Sequence, residues 1–312
     1  MRRIVSFLPS ATEMACALGL GDQLLGVTHE CDFPLEVKEK PVVVRSALAT
    51  ERMTQKEIDV AVAERLRNGA SIYEIDERAL KALAPDLILT QDLCQVCAPS
   101  GNEVTQLLNA LVRKPDILWM TPKSVEGIFD NMRELGEITG RSARAEALIA
   151  SSRERLAKIA SLTRELSRRP RVFCMEWVDP PYCSGHWVPE MVEIAGGVDR
   201  LGRKDDYSVR IAWDEIRDWA PEVLLVMPCG CDLRRSLKEA ASLFAAKGWA
   251  DIPAVRQGRA YAVDANSYFA RPGPRVVDGT ELLAHLLHPE LFAWHGPADA
   301  FASLSQRTAG SA

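Results

Sequence analysis

The stretch from Arg141 to Arg168 reads RSARAEALIASSRERLAKIASLTRELSR and separates two halves of the chain. Its 28 residues contain no glycine or proline and are rich in Ala, Leu, Glu and Arg, which favour helix. Apolar side chains recur near helical spacing at Leu148, Ile149, Leu156, Ile159 and Leu166. The stretch is therefore predicted to form one helix that rises about 42 Å and ends before Pro170.

On both sides of this helix, short apolar runs bounded by turn residues alternate with helical patterns. The runs before it are Ile4 to Leu8, Leu24 to Val27, Leu87 to Leu89 and Ile117 to Trp119. The runs after it are Arg171 to Met175, Val223 to Val226 and Ala260 to Val263. Such alternation predicts parallel sheets of βα units. We therefore expect an α/β fold of two lobes, each a parallel sheet flanked by helices, joined by one long rigid helix.

The predicted domain boundaries follow from this helix. We expect an N-terminal α/β lobe at residues 1–140, the connecting helix at 141–168, a C-terminal α/β lobe at 169–290 and a loosely packed tail at 291–312. The two lobes also echo each other, since Ala84 to Leu89 and Ala220 to Leu225 share a pattern and each precedes a loop with a cysteine. Related lobes and the general similarity of βα units both explain this likeness.

Charge and hydropathy exclude some partners. The 312 residues carry a formal net charge of −5 and have a pI near 5.7. This acidic balance argues against a nucleic-acid partner, which usually requires a basic face. No apolar stretch approaches the roughly 18 residues that span a bilayer. We therefore expect neither nucleic-acid binding nor membrane insertion.

The N-terminus and the cysteines bear on the cell compartment. The chain begins with two arginines after Met1, as signal peptides do, but only Ile4 to Leu8 is apolar before Pro9, and no cleavage site fits. Eight cysteines without regular spacing fit reduced thiols better than a disulfide framework. Both observations predict a cytoplasmic protein. A chain from which a leader has been removed would be periplasmic, and that alternative stays open.

Candidate ligand contacts lie in the loops that follow the predicted strands, because ligands bind at the carboxyl ends of parallel strands. These loops are Pro9 to Thr12, Thr28 to Pro34, Gln91 to Cys97, Trp177 to Trp187, Pro228 to Cys231 and Asn266 to Gly273. Aromatic rings, thiols and histidine are concentrated in them. Rings supply contact area while a few polar groups fix orientation. The composition predicts a large, flat, partly apolar ligand.

The same loops resemble a known family. Residues 4–13 read IVSFLPSATE, and Gly26-Val27 and Asp32 to Pro34 follow them. Residues 179–185 read DPPYCSG, with Gly196-Gly197 downstream, and residues 268–275 read YFARPGPR. In this order, over most of residues 3–288, these segments resemble cobalamin-binding proteins of ABC importers, which are periplasmic binding proteins of the helical-backbone metal receptor type, class III.

This resemblance implies a cleft between the two lobes that holds a corrinoid or another iron or cobalt chelate. By position, the residues expected to line the cleft are Asp32, Phe33, Trp177, Tyr182, Tyr268 and Phe269. Further predicted ligand contacts from the same loops are Pro9, Ser10, His186, Trp187 and Arg271. The family docks on its permease through one acidic residue on each lobe. Glu103 and Glu215 occupy plausible positions for this role, although surface glutamates are abundant.

The sequence also departs from the family. The missing export signal conflicts with a periplasmic role. Residues 42–76 resemble an insertion in the first lobe. The cysteines are a third departure, since six of eight fall in the candidate loops, at Cys31, Cys94, Cys97, Cys183, Cys229 and Cys231. With His29 or His186 nearby, such a set of thiols could hold zinc or an iron–sulfur cluster; equally, small semi-buried cysteines pack well in tight loops.

Two functional hypotheses follow. The first is a monomeric substrate-binding protein for a corrinoid or related metal chelate. It requires no cofactor, makes or breaks no bond, and acts in uptake, storage or intracellular handling, with an ABC importer permease as its expected partner in uptake. The second is a cytosolic thiol-rich metalloprotein or enzyme that reuses the same fold and holds zinc or an iron–sulfur cluster.

Overall fold

The computed structural model describes residues 1–91, 111 and 113–304. The chain divides into two compact units. Unit 1 contains Met1–Pro122 and Glu126–Ile149, and unit 2 contains Lys123–Val125 and Ala150–Ala312. No helix among the described residues is both long and apolar enough to cross a membrane.

A six-stranded sheet forms the centre of unit 1. Its strands are β1 Ile4–Ser6, β2 Leu24–Thr28, β3 Val42–Ser46, β4 Tyr73–Ile75, β5 Leu87–Thr90 and β6 Asp116–Trp119. The spatial order is β4-β3-β2-β1-β5-β6. All neighbouring strands pair in parallel except β4, which runs antiparallel to β3. The strand order reverses at β1, so a crevice is expected outside the carboxyl ends of β1 and β5.

Helices lie beside this sheet, and two of them begin at capping side chains. They are α1 Pro9–Ala17, α2 Gln55–Arg67, α3 Glu77–Leu83 and α4 Val125–Thr139. Pro9 occupies the first turn of α1, where its missing N–H costs nothing. Thr54 and Glu57 form a capping box at α2, and the Asp76 side chain accepts from the Ala79 N–H at α3. The segment 42–76 thus supplies β3, α2 and β4, with Val43 and Val44 fully buried.

The long helix of the sequence prediction is α5, Ser142–Arg164. It ends at Arg164, four residues before the predicted Arg168, although Pro170 restricts only the residue directly before it. The division between the units falls inside α5, after Ile149. Within unit 1, the guanidinium of Arg144 donates to the carbonyl of Ala17 at 2.7 Å. Within unit 2, the guanidinium of Arg155 binds the carboxylates of both Asp278 and Glu281 at 2.6 Å.

Unit 2 contains a five-stranded sheet in the order β13-β12-β11-β7-β8 and a two-stranded pair, β9 and β10. The strands are β7 Val172–Trp177, β8 Tyr182–Cys183, β9 Gly185–His186, β10 Arg203–Lys204, β11 Val223–Val226, β12 Ala260–Val263 and β13 Phe301–Ser303. The helices are α6 Val188–Ile194, α7 Trp213–Trp219, α8 Leu233–Ala240, α9 Pro253–Arg256, α10 Ala265–Tyr268 and α11 Val276–Leu287. Strands β7, β11 and β12 pair in parallel, while β8 and β13 are antiparallel edges.

The structure corrects one predicted boundary. Residues 301–303, assigned by sequence to a loosely packed tail, form β13 and pair with β12. The flanking Ala300 and Leu304 are buried, and the Leu304 N–H donates to the Ala260 carbonyl at 2.8 Å. The small and polar composition of the tail obscured a strand that covers the open edge of β12.

Candidate functional site

In unit 1, the loop after β1 leads directly into α1 at the point where the strand order reverses. The Ser6 hydroxyl donates to the Leu8 carbonyl at 2.8 Å, which shapes the turn. Pro9 and Ser10, both predicted ligand contacts, lie in the first turn of α1 and are buried. The structure therefore gives these two residues packing roles at the edge of the predicted crevice.

The loop after β2 carries three predicted residues in different environments. Cys31 is buried, and its Sγ lies 3.1 Å from the Thr12 hydroxyl and 3.4 Å from the Thr28 hydroxyl. Asp32 is half-buried. The Phe33 side chain is 45% exposed, so its ring offers apolar area to an incoming group. Among the predicted residues of unit 1 that the structure describes, Asp32 and Phe33 retain accessible surface, whereas Pro9, Ser10 and Cys31 are buried.

In unit 2, the first predicted ligand-binding segment runs from the end of β7 through β8. It lies at the carboxyl edge of the five-stranded sheet, which is called the ligand edge below. Trp177 is the last residue of β7 and is half-buried. Its Nε1 is buried and has no hydrogen-bond partner among the described residues. Tyr182, on β8, accepts at its hydroxyl from Nε of Arg210 at 3.0 Å, and the guanidinium lies 5.8 Å from the ring centroid. The core indole of Trp249 also has no partner among the described residues. Trp177 differs from it in lying at the end of β7, where a small side-chain movement would bring its N–H to a ligand oxygen.

His186 shows a second unpaired nitrogen on the same edge. It has φ of 56°, in the left-handed region that non-glycine residues seldom adopt. Its Nε2 is buried and without a hydrogen-bond partner in the described part of the chain, while its ring packs 5.4 Å from the rings of Trp187 and Tyr207. Burial lowers the pKa of His186, as does the nearby Lys123 ammonium, against the opposing charge of Asp206. The imidazole is therefore held neutral.

The remaining predicted contacts of unit 2 form a buried group behind this edge. The Trp187 indole donates to the Phe269 carbonyl at 2.9 Å, and Trp187, Tyr268, Phe269 and Arg271 are all buried. The Tyr268 ring packs edge-on against Trp294 at 5.8 Å. Tyr268 and Trp294 line a cavity of about 710 Å³ between α5, α11 and residues 291–297. The sequence alone gave no signal of this cavity.

Sequence reasoning missed the segment that packs across β8 and β9. Residues 203–211 run beside residues 182–186, with the Cys183 N–H donating to the Val209 carbonyl at 3.1 Å and the His186 N–H to the Asp206 carbonyl at 2.7 Å. This segment presents Tyr207, which is 43% exposed and lies under the Lys123 ammonium, 4.9 Å from its ring centroid. It has no apolar periodicity, so no pattern in the sequence marked it.

The described cysteines do not gather into a metal site. No group of three or more His, Cys, Asp or Glu side chains among the described residues could hold a metal ion, and Cys94 and Cys97 lie outside those residues. Burial raises the pKa of Cys183, and it raises that of Cys231 to about 12. Cys229 is exposed. Buried thiols with raised pKa values stay protonated at neutral pH and are poor metal ligands.

Of the two predicted docking glutamates, one lies among the described residues. Glu215 is exposed near the start of α7, where its Oε2 accepts from the Ala212 N–H at 2.9 Å. This contact caps the helix and leaves the side chain at the surface. Glu103 lies outside the described residues.

The two parallel-rich sheets, their helices and the ligand-edge loops define a class of binding protein. The chain belongs to the periplasmic binding protein family, whose model matches residues 4–267.

Curated relatives match along most of the chain. The uncharacterized ABC transporter substrate-binding lipoprotein YvrC of Bacillus subtilis is 26% identical over 296 residues, which cover 93% of this chain and 81% of that protein. The vitamin B12-binding protein of Vibrio cholerae is 24% identical over 283 residues, covering 89% of this chain and 86% of that protein. The first of these relatives is named for substrate binding and the second for vitamin B12 binding.

Solved structures share the fold. The periplasmic vitamin B12 binding protein of Vibrio cholerae has a TM-score of 0.67 at 21% identity and covers 93% of this chain and 98% of its own. A periplasmic heme binding protein from Pseudomonas aeruginosa has a TM-score of 0.72 at 20% identity and covers 97% of both chains. The relatives with a stated compartment are a lipoprotein and periplasmic proteins, so they give no support to the predicted cytoplasmic location.

Proposed function

We propose that this chain binds a metal chelate of the corrinoid or haem kind at the carboxyl edge of its sheets. It holds the ligand without making or breaking a bond and hands it to the permease of an ABC importer. The observation that carries the proposal is the pair of unpaired nitrogens, Nε1 of Trp177 and Nε2 of His186, on one edge of unit 2. Ligands of parallel α/β sheets bind outside the carboxyl ends of the strands, so this edge is the expected ligand side.

The unpaired nitrogens have a physical cost that a ligand removes. A buried polar group without a partner costs about 1–3 kcal/mol. The indole N–H of Trp177 can only donate, so it suits an amide or carboxylate oxygen on the rim of a chelate. The neutral imidazole of His186 can donate or accept, depending on its tautomer.

The surrounding rings favour a broad, flat ligand. Tyr182 and Tyr207 each retain partly exposed ring surface at this edge of unit 2. Aromatic rings give large contact area at low conformational cost. Relatives named for vitamin B12 and heme binding support a tetrapyrrole-type chelate as the ligand class.

The permease is the proposed macromolecular partner. YvrC and the other substrate-binding relatives support delivery to an importer, and delivery of this kind takes place outside the cytoplasmic membrane. Within this proposal Glu215 is retained as a docking residue, because it is exposed while its capping contact fixes its position.

A titration with matched variants tests the proposal. Cyanocobalamin, cobinamide and haemin are added separately to the wild type, to Trp177→Phe, to His186→Ala and to the control Trp294→Phe. At least one chelate should raise the melting temperature of the wild type, since a ligand at 100 times its Kd stabilises the folded state by about 2.7 kcal/mol.

Each variant has a defined expected result. Trp177→Phe keeps a ring but loses the N–H, and should weaken binding about tenfold, the equivalent of about 1.4 kcal/mol. His186→Ala should weaken it at least as much. Trp294→Phe alters the separate cavity and should bind as the wild type does. Chelates that bind the wild type but lose affinity only in Trp294→Phe would place the ligand in that cavity and refute the proposed site.

A further inference from the structure

One carboxylate joins the segments that carry the exposed rings of unit 2. Glu176, the residue before the end of β7, accepts at Oε1 from the Gly185 N–H at 3.1 Å. Its Oε2 accepts from the Ser208 hydroxyl at 2.6 Å. Its backbone carbonyl accepts from the Cys229 N–H at 3.1 Å. Three loops of the ligand edge therefore meet at a single residue.

Both side-chain partners of Glu176 are direct neighbours of a ring that faces the edge. Gly185 precedes His186, and Ser208 follows Tyr207. The two segments also touch, since a Cβ on Gly185 would overlap the Ser208 backbone nitrogen. This close approach requires glycine at position 185. The Glu176 carboxylate bridges the same two segments from the side of β7.

The bridge sets the geometry of the His186 and Tyr207 rings. These rings meet edge to face at 5.4 Å, and His186 is held at φ of 56°. A strained backbone persists only where the surrounding contacts fix it. The peptide groups of His186 itself are held by the Asp206 carbonyl and the Asp205 N–H, at 2.7 and 3.0 Å. Glu176 holds the peptide group one step earlier, at the Gly185 N–H, and so restrains the residue on which His186 is mounted.

We propose that Glu176 is a positioning residue for ligand binding: it fixes the His186 and Tyr207 rings through Gly185 and Ser208 without itself touching the ligand. The inference rests on the proposed function of chelate binding. Both carboxylate oxygens are occupied by donors from the two segments, so the side chain acts as a fixed strut behind the rings. Its effect on affinity is indirect and passes through the position of His186.

The chemistry of the bridge predicts a graded series of variants. Glu176→Ala removes both acceptors. Glu176→Gln keeps one oxygen for the Gly185 N–H, and its amide can donate to the Ser208 hydroxyl, so the bridge survives with the hydroxyl reversed. Ser208→Ala removes one of the two hydrogen bonds. Glu222→Ala is the control, because Glu222 is a buried carboxylate at the opposite end of the sheet, bonded to Arg168 and the Arg171 N–H.

Two readouts on the full chain separate positioning from plain stability. Chelate affinity should fall about tenfold in Glu176→Ala, the loss expected when one charge-assisted hydrogen bond no longer orders the site. It should stay within about threefold of wild type in Glu176→Gln and take an intermediate value in Ser208→Ala. Glu222→Ala should lower the melting temperature and leave affinity unchanged. Equal affinity in Glu176→Ala and wild type would overturn the inference, as would losses that simply follow melting temperature across all four variants.

The second readout needs no ligand. The ring protons of His186 are shifted in the NMR spectrum by the Tyr207 ring, and this shift should diminish in Glu176→Ala and persist in Glu176→Gln. An unchanged shift in Glu176→Ala would refute the positioning role whether or not a chelate binds. If the wild type binds none of the chelates but the shift responds as stated, the proposed function fails while the bridge to the rings stands.

Discussion

Asp199 illustrates how a single buried group can be tied to the ligand edge of unit 2. Its carboxylate accepts from the Ser184 hydroxyl at 2.9 Å and from the N–H groups of Leu201 and Gly202 at 3.1 and 2.9 Å. Loss of solvent around the carboxyl raises its pKa from 3.8 to about 6, although these hydrogen bonds oppose the rise. Ser184 lies between Cys183 and Gly185, so Asp199 fixes the connection between β8 and β9.

The raised pKa predicts a pH-dependent loss of stability. A carboxyl that holds its proton more tightly in the folded state stabilises the protein fully below pH 3.8, and this contribution is lost as pH rises through about 6. The loss amounts to about 2–3 kcal/mol. Asp199→Asn keeps one acceptor oxygen for the Leu201 and Gly202 N–H groups, its amide donates to the Ser184 hydroxyl instead of accepting from it, and it does not titrate. Urea unfolding from pH 4 to 7 should therefore show that the free energy of unfolding of the wild type falls relative to that of Asp199→Asn. If the free energy of the wild type minus that of the variant stays constant or rises with pH, the assigned pKa is wrong.

The contact between two helices of unit 2, α10 and α11, depends on Gly279. It lies on α11, where a Cβ would overlap the Tyr268 carbonyl oxygen of α10, while a Cβ on Gly21 would meet nothing within 4 Å. Gly279→Ala should destabilise the fold by about 2 kcal/mol or more, despite the helix preference of alanine, because backbone must move. Gly21→Ala should change stability by less than about 0.5 kcal/mol. Chemical denaturation measures the free energy of unfolding of both variants. Equal values for the two would show that α10 can move away from the added methyl group at little cost.

Elements with a strong period or continuous apolar run could be predicted from sequence. The runs at Leu87 and Val223 form central strands with every residue buried, and the 28-residue stretch forms α5. Edge strands such as β8 and β13 were missed because only part of each is buried, which leaves no pattern. The end of α5 was placed four residues too late because helix preference does not fix a terminus, and helix ends fray.

The site could be predicted only as a set of loops. Sequence placed Trp177, Tyr182 and His186 on one edge because carboxyl ends of parallel strands coincide, and the structure brings His186 together with Trp187. It could not tell that Trp187 and Phe269 pack inward, since alternation is lost beyond a strand end. Glu176 and Tyr207 were not identified, because their roles come from contacts between segments about 30 residues apart in sequence.

At the scale of the whole molecule, family membership and the unpaired nitrogens of unit 2 support the central proposal that the chain holds a metal chelate reversibly and unchanged. Equilibrium dialysis of the full chain against cyanocobalamin, cobinamide and haemin, followed by unfolding and analysis of the released compound, tests it most directly. We expect at least one chelate to be retained at about one equivalent per chain and to be recovered chemically intact. Retention of none of the three, or recovery of a chemically altered chelate, would contradict it.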